Sequence, residues 1–142
     1  SDFSRAALEQ TVRAAHDMGL QVQPLVGPVS LLLALAASGL NGQSFAFVGY
    51  LPQDAVERAK RIRELESLAL KSGQTQLFIE TPYRNLALWT ALVQTLQPNT
   101  RLAVASGLTL PRALVRSDTV KGWKQKPAPL DGDTPAVFLL GR

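Results

Sequence analysis

One stretch decides the fold class: QLFIETPYRNLALW, residues 76–89. Its first five residues are a short run of mainly apolar side chains typical of a strand, and Thr81 with Pro82 then provides an N-cap and a first-turn proline. Apolar side chains at helical spacing follow, from Leu88 to Leu96. The sequence therefore predicts a strand that passes directly into a helix, a pattern typical of α/β proteins.

The same alternation continues along the chain on both sides of this stretch. Strands are predicted over 44–51, 101–105, 113–117 and 136–140, and helices from 28 to Gly39 and over 53–71, with a helical turn at 119–125. We therefore expect an α/β protein, a layered α/β/α domain whose mixed, mainly parallel sheet has about five strands. The apolar helix before Gly39 is expected to be buried on every side.

The first 26 residues form a separate unit in this pattern. They predict one helix and one strand, and no earlier strand is present for that strand to pair with. We expect residues 1–26 to be the remnant of an N-terminal domain, and residues 27–142 to form a C-terminal domain.

Composition excludes several kinds of chemistry. The 142 residues are 46% hydrophobic and 18% charged, contain no cysteine, and include His16 as the single histidine. Disulfides, thiolate nucleophiles and sites with two imidazoles are therefore excluded, and no metal site is predicted. The longest apolar run, 29–37, is far shorter than the roughly 20 residues of a membrane span, so we expect a soluble protein that does not contact a membrane.

Two predicted helix N-termini are candidate ligand sites, because each follows a strand and ligands of open α/β sheets bind beyond the carboxyl ends of strands. One begins at Gly27 and Pro28. The other holds Glu80, Tyr83 and Arg84, which supply an anion, a ring and a planar cation. Ordinary capping, and a simple pairing of Glu80 with Arg84, explain the same residues equally well.

Charge and aromatic residues leave further alternatives open. The net charge is +4, and residues 101–126 hold a basic strip with one acid, Asp118; its bases are Arg101, Arg112, Arg116, Lys121, Lys124 and Lys126. The strip either contacts a polyanion or is a solvated face. Trp123 within it either stacks on a base or anchors the core. Asp131 and Asp133 favour a turn over a metal site.

Four motifs carry a family resemblance: VGPVS at 26–30, LAASGL at 35–40, FVGYLP at 47–52 and IETPYR at 79–84. In this order they resemble the tetrapyrrole-methylase-type S-adenosylmethionine-dependent methyltransferases. The branch that methylates a ribose 2′-hydroxyl in small-subunit ribosomal RNA is the most similar. Tyr83 stands where that branch has histidine, and Ser106 with Gly107 stands where it has Arg-Glu.

The resemblance implies a cytoplasmic, homodimeric enzyme that binds S-adenosylmethionine between two domains and acts on ribosomal RNA. It implies that Gly27, Pro28, Val29 and Ser30 form the hinge and part of the cofactor wall. Glu80, Tyr83 and Arg84, together with the basic strip, are then expected to face the acceptor, and no catalytic residue is assigned. The alternatives are a non-catalytic RNA-binding module and a scaffold that dimerises through the helix at 29–37.

Overall fold

The computed structural model describes residues 28–107 and 114–142. Its helices are α1 (Pro28–Ser38), α2 (Ala55–Ser72), α3 (Asn85–Thr95) and α4 (Val120–Trp123), with a 3-10 turn at Pro82–Arg84. Its strands are β1 (Phe45–Tyr50), β2 (Thr75–Ile79), β3 (Arg101–Ser106), β4 (Leu114–Thr119) and β5 (Ala136–Gly141). The elements predicted beyond residue 27 are confirmed to within a few residues, whereas those predicted for 1–26 lie outside the described residues.

The five strands form one mixed sheet in the order β1-β2-β5-β3-β4. The predicted strand number and the mixed character are confirmed, but the expectation of mainly parallel pairing is wrong. Only β1 and β2 are parallel, and the other three pairs are antiparallel. A parallel neighbour needs a crossover of a dozen or more residues, usually a helix. The seven-residue connection after β3 is too short for such a crossover, so β4 returns antiparallel beside β3, and β5 then enters antiparallel between β2 and β3.

The pairing defines two ends of the sheet. Strands β1, β2 and β3 run in one direction, and β4 and β5 run in the other. We call the end where β1, β2 and β3 finish the carboxyl end of the sheet; β4 and β5 begin there. The opposite end, where β1, β2 and β3 begin, is the amino end.

Helices cover both faces of the sheet, so the predicted α/β/α layering is confirmed. Helices α2, α3 and α4 pack on the face that carries Phe78 and Phe138. Helix α1 packs on the other face, against side chains of β3 and β5 such as Ala103 and Leu139. Each face thus has its own apolar core.

Helix α1 is buried on one side only, which corrects the expectation of burial all round. Leu31, Ala34 and Leu35 are buried, whereas Leu33 is 37% exposed and Ala36 is exposed. The reason is that α1 lies outermost in its layer, and no other described helix packs on its outer side.

Local signals determine where α2 begins and ends. The Asp54 carboxylate caps the helix by accepting a hydrogen bond from the Glu57 N–H at 3.0 Å. Gly73 ends it at φ 76°, a left-handed conformation that glycine adopts without strain. In the described parts of the chain, 28–107 and 114–142, no helix combines the length and apolarity needed to cross a bilayer.

Candidate active site at the carboxyl end of the sheet

Glu80 follows β2 directly, and its side chain is only 3% exposed. Its Oε1 accepts hydrogen bonds from the Thr81 N–H at 2.8 Å and from the Thr81 hydroxyl at 3.3 Å. Thr81 is the N-cap residue of the 3-10 turn and Pro82 its first residue, as predicted, but the Thr81 hydroxyl is turned back toward Glu80 and caps no N–H of the turn. These local bonds hold a carboxylate in place under the surface of this end.

Arg84 and Tyr83 lie above that carboxylate. The Arg84 Nη1 is 3.9 Å from the Glu80 Oε1 and donates to the Thr81 hydroxyl at 3.3 Å, so the predicted pairing of Glu80 and Arg84 is confirmed. The Arg84 Cζ also lies 4.5 Å from the centroid of the Tyr83 ring, a cation–π contact. Tyr83 is 69% exposed. The cluster thus presents an exposed aromatic ring and a partly exposed guanidinium to solvent, with a buried carboxylate beneath them.

Asn85, the first residue of α3, is a buried polar residue that sequence reasoning missed. It is 0% exposed and its Nδ2 donates to the Thr134 carbonyl at 3.0 Å. Its Oδ1 is buried and has no hydrogen-bond partner in the structure as described. The sequence could have indicated it, because Asn85 lies at helical spacing from Leu88 and Leu92, on the side of α3 where an apolar residue is expected.

The carboxyl end also exposes large apolar side chains. Tyr50 ends β1 at a bulge, where Gly49 has φ 73° and the register with β2 shifts. Tyr50 and Leu114 are each about half exposed at this end, and Val56 and Leu86, in the first turns of α2 and α3, are exposed beside it. Tyr50 and Leu114 stand on the two edge strands, so these side chains are spread along this end of the sheet and do not form one patch.

Asp131 builds a turn beside the site, as the sequence favoured. Its Oδ1 accepts from the N–H groups of Asp133 and Thr134, both at 2.8 Å. These two bonds, and a third from the Thr134 hydroxyl, hold the pKa of Asp131 below its usual value of 3.8. The turn positions the Thr134 carbonyl that Asn85 contacts.

The first candidate helix terminus is only partly described. Pro28 is the first residue of α1, as predicted, Val29 and Ser30 follow in its first turn, and Gly27 lies outside the described residues. The chain leaves α1 at the amino end, where the Leu40 side chain packs over Gly141. Eleven helical residues are about 16 Å long, so α1 has the length to reach back toward the carboxyl end. The cofactor role of Gly27, Pro28, Val29 and Ser30 stays a prediction.

Most described bases of the strip lie at the opposite end of the sheet from Glu80, Tyr83 and Arg84, so the expectation that the two present one shared surface to the acceptor is wrong. Arg101 begins β3 at the amino end of the sheet, and Thr119, its partner on β4, leads into α4 there. The reason is the antiparallel pairing, because β4 brings the chain back to the end where β3 began. Arg112 lies outside the described residues.

Trp123 is a core residue. It is 5% exposed, and its Nε1 donates to the Leu102 carbonyl at 2.7 Å. Its ring packs edge-on against the Trp89 ring, with the two ring centroids 4.9 Å apart. Of the two alternatives, the core anchor is therefore confirmed. The ring has no free face on which a base could stack.

Known proteins related to this chain are methyltransferases. No family model matches the chain. It is 33% identical over 110 residues to the ribosomal RNA small subunit methyltransferase I of Mesorhizobium japonicum, a match that covers 78% of this chain and 36% of that protein. The enzyme of the same name from Escherichia coli O157:H7 is 30% identical over 98 residues, covering 69% and 33%. The chain thus spans about a third of the length of the curated relatives it matches.

Among solved structures, the methyltransferase CobJ aligns at 20% identity with a TM-score of 0.49, covering 79% of this chain and 47% of that one. The sequence relatives carry the name of the enzyme branch that the ordered motifs resemble; these motifs are VGPVS, LAASGL, FVGYLP and IETPYR. By these relatives, the chain is similar to methyltransferases over more than two thirds of its own length. Within that class, its relatives are the ribosomal RNA small subunit methyltransferases I.

Proposed function

We propose that this chain is the C-terminal part of an S-adenosylmethionine-dependent methyltransferase that modifies a ribose 2′-hydroxyl of small-subunit ribosomal RNA. The observation that carries the proposal is the 33% identity over 110 residues with a ribosomal RNA methyltransferase. The cluster of Glu80, Tyr83 and Arg84 at the carboxyl end supports it, because that end of an α/β sheet is where ligands bind and the cluster exposes a ring and a cation there. This end of the sheet is then one wall of a cleft.

The residues of this end fit the cofactor. The buried Asn85 Oδ1 has no partner among the described residues, and such a group costs about 1–3 kcal/mol unless a donor meets it. The amino and hydroxyl groups of S-adenosylmethionine are donors of that kind. The first N–H groups of α1, which begins at Pro28, have no partners within the helix and suit the cofactor carboxylate.

S-adenosylmethionine supplies the methyl group when bound. Methyl transfer depends on holding donor and acceptor in line rather than on a strong acid or base. In this proposal Tyr83 stacks on a base near the target nucleotide, and Arg84 lies where it can neutralise an adjacent phosphate. Glu80 acts through Arg84, whose guanidinium it orients. We assign no catalytic residue.

The test uses a protein that carries this chain at the full length of its relatives. We expect S-adenosylhomocysteine to bind in isothermal titration calorimetry, and methyl transfer to small-subunit RNA to yield a 2′-O-methyl nucleoside on mass spectrometry. Absence of cofactor binding would overturn the methyltransferase assignment. Binding with the methyl group recovered on a base would overturn only the acceptor.

Variants at the carboxyl end sharpen this test. We expect Tyr83→Ala and Arg84→Ala to raise the KM for RNA while leaving the Kd for S-adenosylhomocysteine near its original value. Thr90→Ala, at an exposed position on α3, is the matched control. If both variants weakened cofactor binding instead, Tyr83 and Arg84 would belong to the cofactor site.

Two further properties belong to this proposal. We propose a homodimer, because the resembling enzymes are usually homodimers, and a cytoplasmic location, because ribosomal RNA is modified there. Sedimentation velocity tests the first, and a single species of monomer mass over a wide concentration range would overturn it. Cell fractionation that recovers the protein outside the cytoplasm would overturn the second.

A further inference from the structure

The amino end of the sheet collects positive charge from several parts of the chain. Lys71 ends α2 there, and the other basic side chains at this end are Arg101, Lys121, Lys124, Lys126 and Arg142. We call the five other than Lys126 the amino-end cations, because the Lys126 Nζ is engaged by the Asp118 carboxylate at 2.6 Å. The other acid nearby, Glu66, is buried and accepts from Gln97 and Thr100.

By their backbone positions, the amino-end cations form a row across neighbouring strands and the helices that flank them. The Arg101 side chain turns to the face of the sheet that carries Ala103, where its Nη2 donates to the Ser117 hydroxyl at 3.3 Å. Arg101 pairs with Gly141 of β5 on one side and with Thr119 of β4 on the other. The Arg142 guanidinium lies beside Gly73, just before β2. Strands are about 4.8 Å apart, so the row from β2 to β4 is about 15 Å long. Across 28–107 and 114–142, none of these cations has a carboxylate within salt-bridge distance.

The carboxyl end has the opposite balance. Among residues 28–107 and 114–142, the acids at this end are Asp54, Glu57, Glu80, Asp131 and Asp133, and the bases are Arg58 and Arg84. Since the net charge of +4 alone would favour bases at both ends, their concentration at the amino end is a property of the fold. A surface of like charges without acid partners costs self-repulsion unless a counter-charge covers it.

We propose that the amino-end cations bind the phosphate backbone of the RNA substrate, away from the nucleotide that is methylated. The inference rests on the proposed function, which makes RNA the acceptor. Lysine and arginine contact phosphates without reading sequence, and such contacts fix where the protein lies on the nucleic acid. A row about 15 Å long suits several consecutive phosphates, whereas a free nucleotide would reach only part of it.

The edge beneath this row is rigid, which favours a positioning role. Glu66 joins α2 to the turn before β3, and Trp123 joins α4 to β3, so Lys71, Arg101 and Lys121 are carried by elements that buried bonds hold together. Because the cations are already arranged, the ordering cost of binding a polyanion falls mainly on their side chains.

The experiment measures the affinity of the 142-residue chain for a fluorescein-labelled RNA stem-loop by anisotropy between 50 and 200 mM salt, the range over which phosphate contacts weaken most clearly. The test variant is Lys121→Gln/Lys124→Gln. The matched control is Lys60→Gln/Arg63→Gln, which removes the same charge from the outer face of α2, two to three turns before Lys71. Melting curves establish that both variants fold.

We expect the test variant to bind RNA roughly thirtyfold more weakly at 0.1 M salt. We also expect the negative slope of log K against log salt to become less steep by about 1.6, which corresponds to the loss of two phosphate contacts. The control is expected to change the affinity less than threefold. Equal losses in both variants would show that net charge alone attracts RNA, and would overturn the proposal. Failure of the unmodified chain to bind RNA, or equal affinity for polyglutamate, would also overturn it.

This outcome is separable from that of the proposed function. If the full-length protein transfers methyl groups to RNA but Lys121→Gln/Lys124→Gln has no effect on KM, the amino-end surface is wrong and the enzyme assignment stands. If RNA binds with the expected slope but no cofactor binds, the surface stands and the methyltransferase assignment fails.

Discussion

The two ends of one sheet are built in different ways. At the amino end, hydrogen bonds join residues far apart in sequence: Glu66 to Thr100 at 2.6 Å, Trp123 to Leu102 at 2.7 Å, and Asn41 to Gly73 at 3.0 Å. At the carboxyl end, by contrast, the hydrogen bonds of Glu80 and Arg84 join residues that are close in sequence, since both are made with Thr81. The bond from Asn85 to Thr134 is the long-range exception.

The difference indicates how the chain divides its side chains between folding and binding. The amino end uses buried polar groups to fix loops to one another, so those groups are unavailable to a ligand. The carboxyl end leaves the rings of Tyr50 and Tyr83 exposed, and the Asn85 Oδ1 has no hydrogen-bond partner among the described residues. Binding residues commonly lie on loops that a rigid scaffold positions. Four substitutions test this contrast.

The largest effect is expected for Trp123→Ala at the amino end. It removes a buried ring and leaves the Leu102 carbonyl without its donor, so the free energy of unfolding should fall by about 3–5 kcal/mol. Urea denaturation measures it. Tyr83→Ala, at the exposed carboxyl end, is the control and should change stability by no more than about 0.5 kcal/mol. Similar losses in both would remove the contrast between the ends.

The next effect is that of Glu66→Leu. The substitution deprives the Gln97 N–H and the Thr100 hydroxyl of their buried acceptor, so we expect a loss of roughly 3 kcal/mol in the free energy of unfolding. The control is Glu64→Leu, which removes an exposed carboxylate paired with Arg61. A loss of less than about 1 kcal/mol for Glu66→Leu would mean that the turn at 97–100 is held by other contacts.

Asn85→Leu should affect binding more than folding. It loses the bond to the Thr134 carbonyl but also removes the unpartnered Oδ1, so the two costs nearly offset and ligand-free stability should change by less than about 1 kcal/mol. In the full-length protein, S-adenosylhomocysteine at a hundred times its Kd should stabilise the original sequence by about 2.7 kcal/mol. Asn85→Leu should show a smaller stabilisation by the ligand. The control is Gln94→Leu, at an exposed position on α3, which should be stabilised as much as the original sequence. An unchanged shift in Asn85→Leu would exclude contact with the cofactor.

The smallest effect is a dependence of stability on pH at the amino end. The hydrogen bond from Lys126, and then that from the Thr119 N–H, hold the pKa of Asp118 below its ordinary 3.8 in the folded protein. A depressed pKa stabilises the fold above pH 3.8, and that contribution is lost as the pH falls through the folded value. Asp131, whose pKa is also lowered, titrates in the same range.

Asp118→Asn isolates the contribution of this carboxylate. Unfolding of the variant and of the original chain is compared in urea from neutral pH to below 3.8. The variant should lose less stability than the original chain over the acid part of this range, because the stabilising carboxylate of Asp118 is absent from it. Parallel curves across the whole range would show that the bond from Lys126 does not stabilise the fold.

The local elements of this chain follow from its sequence because their signals lie within a few residues. The caps Asp54 and Gly73 bound α2, and the pairing of Glu80 with Arg84 needs only their four-residue spacing and the turn between them. The Asp131 turn is equally local. Hydrophobic periodicity, capping and turn chemistry act over this range, so they are readable without knowledge of the fold.

Strand order, the placement of the basic strip and the importance of Asn85 depend on contacts between distant residues. Strand β5 enters between β2 and β3, and this reverses most of the expected pairing and carries Arg142 beside Arg101. Asn85 becomes noteworthy only when Thr134, 49 residues later, is found beside it. Periodicity within a segment reports which face is buried but not which neighbour buries it. The packing of the whole chain makes that choice, and here it places acids and apolar rings at one end of the sheet and unpaired cations at the other.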